Sequence, residues 1–208
     1  MVHVVNQELH LLGPVTMVNG KDSLKCEKMI FWYELDSLHA FGNVQFKFKN
    51  NYVQTDSLMY VKTNGFRGYS FTANNNAKFY DPEYEITAQK MSYNDNAQSM
   101  LLNNQVTIKS EKQGAKGENI NLAFQDSLIK NMIIKHDAYI YNNHNAIVNK
   151  QNAQLFKDEI NGNIIEADFE NKNLKNILVK GMAQSKYYVV NDSTYLMGLN
   201  EASGDTMV

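Results

Sequence analysis

One short module returns along nearly the whole chain, and its spacing limits the fold more than any single motif does. Its first form is a Gly, Asn or His, one spacer, and then a small aliphatic residue that opens an alternating apolar run. Copies are Gly13-Pro14-Val15-Thr16-Met17, Gly42-Asn43-Val44-Gln45-Phe46-Lys47-Phe48, Asn75-Asn76-Ala77-Lys78-Phe79, Asn104-Gln105-Val106-Thr107-Ile108, His136-Asp137-Ala138-Tyr139-Ile140 and Gly181-Met182-Ala183. Its second form is a small residue, a polar one, a spacer and an aliphatic, often followed two positions on by an aromatic. Copies are Cys26-Glu27-Lys28-Met29-Ile30-Phe31, Thr55-Asp56-Ser57-Leu58-Met59-Tyr60, Ala88-Gln89-Lys90-Met91-Ser92-Tyr93, Gly117-Glu118-Asn119-Ile120-Asn121-Leu122 and Gly162-Asn163-Ile164-Ile165-Glu166-Ala167. The offset from first form to second is 13 residues in four copies and 26 in the fifth, which carries an insertion at about 141–156.

Within each copy apolar and polar residues alternate with a period of two, as in Val44, Phe46 and Phe48 against Gln45, Lys47 and Lys49. That period is the mark of a half-buried strand, and no window keeps the repeat while offering the three- and four-residue spacing of a helix. The chain therefore reads as all-β, with about ten to twelve short strands in two-strand repeats of about 30 residues. The Gly and Asn positions that open the first form read as turns, and so do Thr63-Asn64-Gly65, Asp81-Pro82, Asn94-Asp95-Asn96 and Gln113-Gly114. One face of such a sheet is apolar and must be covered, so the sheet folds onto itself or onto a second sheet. Residues 1–157 form the repeat region, and 158–208 read as a last copy continuing the same sheet. Its end strands keep unpaired backbone groups, which invites head-to-tail association.

Composition narrows the function. The chain has 208 residues, 20 Lys+Arg against 22 Asp+Glu, and Arg67 as its one arginine. That balance lacks the positive excess needed to neutralise a nucleic-acid backbone. Its apolar runs, such as 29–33, fall far short of the ~20 residues of a membrane-crossing helix. A single cysteine, Cys26, excludes an intrachain disulfide framework and a cysteine-built zinc site, and it falls in the small-residue slot of a strand, where a buried inert thiol is expected. His3, His10, His39, His136 and His144 show no metal-ligand spacing, and His39 and His136 lie at expected turns. There is no nucleophile elbow and no phosphate-cradling glycine loop. No enzyme activity, metal or cofactor is expected. The N-terminus carries no export signal, so the chain reads as cytoplasmic or as a mature form.

The phrase Leu38-His39-Ala40-Phe41-Gly42-Asn43-Val44-Gln45-Phe46, with the small-polar-x-aliphatic-x-Tyr strands Thr55 to Tyr60 and Ala88 to Tyr93, resembles the OstA-like (organic solvent tolerance) N-terminal domain family. That family includes the lipopolysaccharide-transport proteins LptA, LptC and the periplasmic domain of LptD. The resemblance runs from about residue 13 to 188. It departs from the pattern where Asn or His replaces Gly at 75, 104 and 136, and at the insertion before Gly162. It implies a folded-over antiparallel sheet, a β-jellyroll or β-taco, whose halves enclose an apolar slot for the acyl chains of lipopolysaccharide. It also implies a periplasmic location, with or without attachment to the outer membrane. The implied partners are lipopolysaccharide or another acyl lipid, further copies of the chain, and other OstA-like domains; no catalysis is implied.

The alternation itself nominates the slot lining: Val15, Met17, Phe31, Val44, Phe46, Phe48, Tyr60, Phe79, Met91, Tyr93, Val106, Ile108, Leu122 and Ile140. Met29, Leu58, Ala77, Ile120 and Ala138 share that face. Unbranched Met among aromatics suits variable chains, and each methylene removed from water contributes about 0.8 kcal/mol. The same residues could instead pack on one another as the closed core of a structural or adhesive repeat scaffold. Lys47, Lys49, Lys62, Lys78, Lys90, Lys109 and Lys112 fall on polar faces or turns, where they could meet phosphates or simply be solvated.

Overall fold

The computed structural model describes the backbone of residues 2–5 and, with side chains, residues 8–62, 68–148, 152–191 and 194–208. The expected turn at Thr63-Asn64-Gly65 lies outside the described residues. Among the described residues thirteen strands follow one another: β1 (Val2–Val5), β2 (Glu8–Asn19), β3 (Asp22–Trp32), β4 (Ser37–Phe48), β5 (Asn51–Lys62), β6 (Tyr69–Tyr80), β7 (Glu85–Asn94), β8 (Ser99–Lys109), β9 (Gln113–Gln125), β10 (Leu128–Ile147), β11 (Ala153–Glu170), β12 (Asn173–Val190) and β13 (Leu196–Met207). Hydrogen bonding runs in chain order from β1 to β13, and the pairs whose register is defined are all antiparallel. Two compact units result, 1–106 and 107–208. The strands are longer than expected, because the module read as a turn is not one.

At Gly13-Pro14, Gly42-Asn43, Asn75-Asn76, His136-Asp137 and Gly181-Met182 the chain does not reverse. Each pair sits inside a strand and opposes a single residue of the neighbour, as where 41 pairs with 57 and 44 with 55. These are β-bulges, two residues against one, which bend the strand and sharpen its twist. The bend needs left-handed backbone: φ is 76° and 46° at Gly42 and Asn43, 63° and 54° at Asn75 and Asn76, and 60° and 50° at His136 and Asp137. Asn104 and Gln105 share it at 63° and 55°. Gly and Asn signal positive φ, and turns and bulges both use it.

The second module is the other half of the bend. Its polar residue opposes the left-handed pair and bonds to it: Asn43 Nδ2 donates to Glu27 Oε1 at 2.5 Å, and Asn76 Nδ2 to Asp56 Oδ2 at 3.3 Å. Its small residue lies on the inside, where Cys26, Thr55, Ala88 and Gly117 are all buried. Thr55 Oγ1 donates to the Asn74 carbonyl at 2.7 Å, taking up an acceptor near the bulge. The 13-residue offset is thus the path from one bend through a hairpin to the bend of the next strand.

Asp81-Pro82 and the turn after Asn94 do reverse the chain, whereas Gln113-Gly114 opens β9. Gly114 is bare because the Tyr141 ring lies where its Cβ would be, 2.4 Å away. The insertion at 141–156 lengthens the β10–β11 hairpin, paired out to Ile147 and Ala153. Residues 158–208 supply the remainder of β11 with β12 and β13.

In unit 1 the bends curl the sheet. Neighbouring strands lie about 4.8 Å apart, so β4 and β7 would be ~14 Å apart in a flat sheet. Yet Phe48 of β4 and Tyr93 of β7 have ring centroids 6.4 Å apart, and Phe48 and Phe79 of β6 are 6.2 Å apart. In unit 2 the end of β10 meets the start of β13, with the Ile147 N–H donating to the Thr194 carbonyl at 2.9 Å, although β11 and β12 separate the two strands in the sheet.

Candidate functional site

The register sorts the inward side chains of unit 1 into rows across the strands. One row runs Met17, Leu24, Phe46, Val53, Phe79, Ile86; another runs Leu9, Phe31, Leu38, Tyr60, Phe71, Tyr93. Ring contacts join these side chains: Phe46 meets Phe71 edge-on across the two rows at 5.9 Å, Phe71 stacks on Tyr93 within its row at 5.5 Å, and Phe46 stacks on Phe48 at 4.9 Å. Aromatic pairs at these separations add about 0.5–1.5 kcal/mol each beyond area burial.

Of the nominated lining, Val44, Phe46, Phe48, Phe79, Met91, Val106, Ile108 and Leu122 are buried. Val15, Phe31, Tyr60, Tyr93 and Ile140 are half-buried, and Met17 is 40 % exposed. Ile108, Leu122 and Ile140 belong to unit 2, where Ile140 faces Ala115 and Ile160, and Leu122 faces Met132.

A cleft of about 200 Å³ opens among the inward residues of unit 1, lined by Met17, Asn19, Asp22, Leu24, Phe31, Asp36, Leu38, Phe46, Phe48, Tyr60, Lys62 and Tyr69. Met17 on β2 and Tyr69 on β6 would stand ~19 Å apart in a flat sheet, so the cleft exists only because the sheet curls. Five nominated residues line it: Met17, Phe31, Phe46, Phe48 and Tyr60. Leu24 and Leu38 follow the same alternation and could have been named from it. Tyr69, Asp22, Asp36 and Lys62 stand at strand ends, outside both modules, and carry no repeat signal.

The rim is polar. Lys62 Nζ stands 3.7 Å from Asp36, and Lys49 Nζ 3.5 Å from Asp95 and 5.9 Å above the Tyr69 ring. Asp95 accepts from Tyr93 Oη at 3.0 Å, and Asp22 from the Lys49 backbone N–H at 3.0 Å. Tyr60 and Tyr69 stack at 5.7 Å. Burial pushes the phenols of Tyr60, Tyr69 and Tyr93 above their ordinary range, and nearby carboxylates push further: Asp22, Asp36 and Asp95 on Tyr60, Asp95 and Asp22 on Tyr69, and Asp95 on Tyr93. All three stay neutral donors near neutrality. Among the described residues the Tyr69 hydroxyl, shielded from water, has no hydrogen-bond partner.

The remaining candidates fall to structural roles. Burial pushes the Cys26 thiol up, away from thiolate reactivity. His39 is not at a turn but inside β4, its ring 3.8 Å from that of Phe41, and burial draws its pKa down. His144 pairs with Asp158 at 3.2 Å, and Asp158 also accepts from the Tyr188 N–H at 2.9 Å, tying β10, β11 and β12 together. Among the described residues no group of three His, Cys, Asp or Glu is placed to hold a metal. Lys47, Lys78, Lys90, Lys109 and Lys112 are exposed, while Lys49 and Lys62 stand at the cleft.

In unit 1, fold and site together define a curled antiparallel sheet with an aromatic interior and a polar-rimmed cleft. A solved structure similar to this chain is that of LptH from Pseudomonas aeruginosa, the LptA-homologous periplasmic component of a lipopolysaccharide transport device. It matches with a TM-score of 0.47 and 10 % identity, over 65 % of this chain and 92 % of that one. No protein-family model matches the chain, and no curated protein matches it.

Proposed function

We propose that the protein is a non-enzymatic binder of acyl lipid that takes an apolar chain into the curled interior of unit 1. The observation that carries this reading is the cleft: a mouth with an apolar, aromatic floor and a charged rim, leading onto stacked inward rings. Such a floor holds a chain through dehydration alone, at about 0.8 kcal/mol per methylene, and the rim keeps a head in water. That the lipid is lipopolysaccharide, the compartment the periplasm, and the partners further OstA-like domains or copies of this chain are the finer parts of the proposal. They rest on the resemblance of the bend module to that family.

The competing reading is a scaffold with a closed core, favoured by the complete burial of Val44 and Met91. Photo-crosslinking from a benzoylphenylalanine at Phe31 or Phe46 in a Gram-negative cell decides between them. A conduit gives lipid adducts from both positions; protein adducts alone, or none, would leave the scaffold.

A further inference from the structure

Three Asn-Gly pairs occur in the sequence, Asn19-Gly20, Asn64-Gly65 and Asn161-Gly162, and the middle one lies outside the described residues. In this dipeptide the Asn side-chain amide is open to attack by the backbone nitrogen that follows it, because glycine adds no side chain to shield that nitrogen or restrict its approach. The fold holds the two described pairs very differently. Asn19 ends β2, and its register with Asp22 leaves only Gly20-Lys21 as the loop to β3. Gly20 comes first in that loop with φ 62°, as a two-residue hairpin turn requires, and its nitrogen stands outside the β2–β3 ladder. Asn19 is exposed, and among the described residues its side-chain amide has no hydrogen bond. Asn161 instead lies inside β11, paired with Tyr139 of β10 and Gln184 of β12. Gly162 pairs with Ala138, and Val179 Cγ1 stands 2.6 Å from where a Cβ would be.

We infer that Asn19 is a self-modification site, at which the folded protein turns an amide of its own cleft lining into a carboxylate, while Asn161 is protected by its strand. The Gly20 nitrogen bonds to Asn19 Cγ and closes a succinimide ring; the side-chain nitrogen leaves as ammonia, carrying off the proton of the Gly20 N–H. Water then opens the ring at either carbonyl, giving aspartate or, with the main chain rerouted through the side chain, isoaspartate. Nothing is oxidised, and water is the only co-reactant. Asn19 and Asp22 both line the unit 1 cleft and face each other where the hairpin closes. The first product therefore sets two carboxylates directly opposite, and the second adds a backbone carbon to β2; each loosens this corner of the cleft. The reaction needs no ligand, so it stands apart from the lipid reading above.

The test is incubation of the full chain at mildly alkaline pH, in buffer and in guanidinium chloride, with peptide mass spectrometry following the amide-to-acid mass gain at each Asn-Gly pair. In guanidinium Asn19 and Asn161 convert at similar rates, since local sequence alone then sets them. In the folded chain Asn19 converts faster than Asn161 by about a hundredfold or more, because opening a paired strand interior is far rarer than moving a hairpin tip. Both aspartate and isoaspartate appear at Asn19. Aged protein has a lower urea midpoint than fresh protein, whereas Asn19→Gln and Asn19→Ser chains aged alongside keep theirs. Equal rates at Asn19 and Asn161 in the folded chain overturn the site. A midpoint that falls as far in both variants overturns its effect on the cleft.

Discussion

At Gly117 a methyl group would sit 2.4 Å from Ile134 Cγ2 and 3.3 Å from the His136 carbonyl oxygen. Ile134 is fully buried, so it cannot swing aside, and the inner side of this bend has room for a hydrogen atom only. Other bends are wider: the same position holds Cys26, Thr55 and Ala88. Gly162 repeats the tight case, with Val179 Cγ1 2.6 Å from its virtual Cβ. Gly117→Ala should therefore cost about 1–3 kcal/mol by overpacking, read as a lower urea midpoint with an unchanged denaturant slope. Ala88→Gly, which only empties space, should cost at most about 1 kcal/mol through backbone entropy. An unshifted midpoint for Gly117→Ala would mean that this bend is looser than its geometry.

The even-numbered strands from β2 to β12 are organised about their bends, and the bend is where sequence and structure agree on location and differ on meaning. The 13-residue offset and the period of two placed Val44, Phe46, Phe48, Phe79 and Met91 on one face, because alternation continues through a two-residue bulge with its parity intact. What alternation could not reveal was whether Gly42-Asn43 or Asn75-Asn76 reverses the chain or only kinks it, since the residue preference records positive φ and nothing about the pairing partner. The cleft was half legible for a similar reason. Phe46 and Tyr60 follow from periodicity, but Asp22, Asp36 and Tyr69 join them only after β2 to β6 have curled, a consequence of summed bends rather than of any local motif. The bulge reading makes its own prediction at Asn76, whose φ is 54° and whose amide bonds Asp56. Asn76→Val should lose about 1–2 kcal/mol, the cost of left-handed backbone for a residue with a branched Cβ. Asn76→Gly relieves the backbone and forfeits only an exposed hydrogen bond, so its urea midpoint should stay closer to that of the parent. If Val is tolerated as well as Gly, the left-handed pair is not what fixes the bend.

A sheet that runs in chain order from β1 to β13 has two ends, and they are blunted unequally: β2 carries Pro14 within its Gly13-Pro14 bulge, whereas β13 has no proline. β1 pairs with β2 from Glu8 to Leu11, and further along β2 Val18 is 67 % exposed. At the other end β13 pairs along its length with β12 and shows Met197 and Leu199 at 67 % and 47 % exposure, with no lysine or proline in it. Edges of this kind template further strands unless charge, proline or a covering segment intervenes, and here the acidic residues of β13, Glu201 and Asp205, offer the main opposition. Self-association through these edges should appear as a sedimentation coefficient that rises with protein concentration. Met197→Lys combined with Leu199→Lys removes two exposed apolar side chains and adds edge charge, so it should weaken association by about tenfold or more, the equivalent of ~1.4 kcal/mol. The substitutions lie in unit 2, so binding of amphiphile at the unit 1 cleft should be unaffected, which separates a loss of assembly from a loss of fold. A parent chain that sediments as a monomer at every concentration would show that these edges are protected in some other way, and would remove self-association from the proposed role.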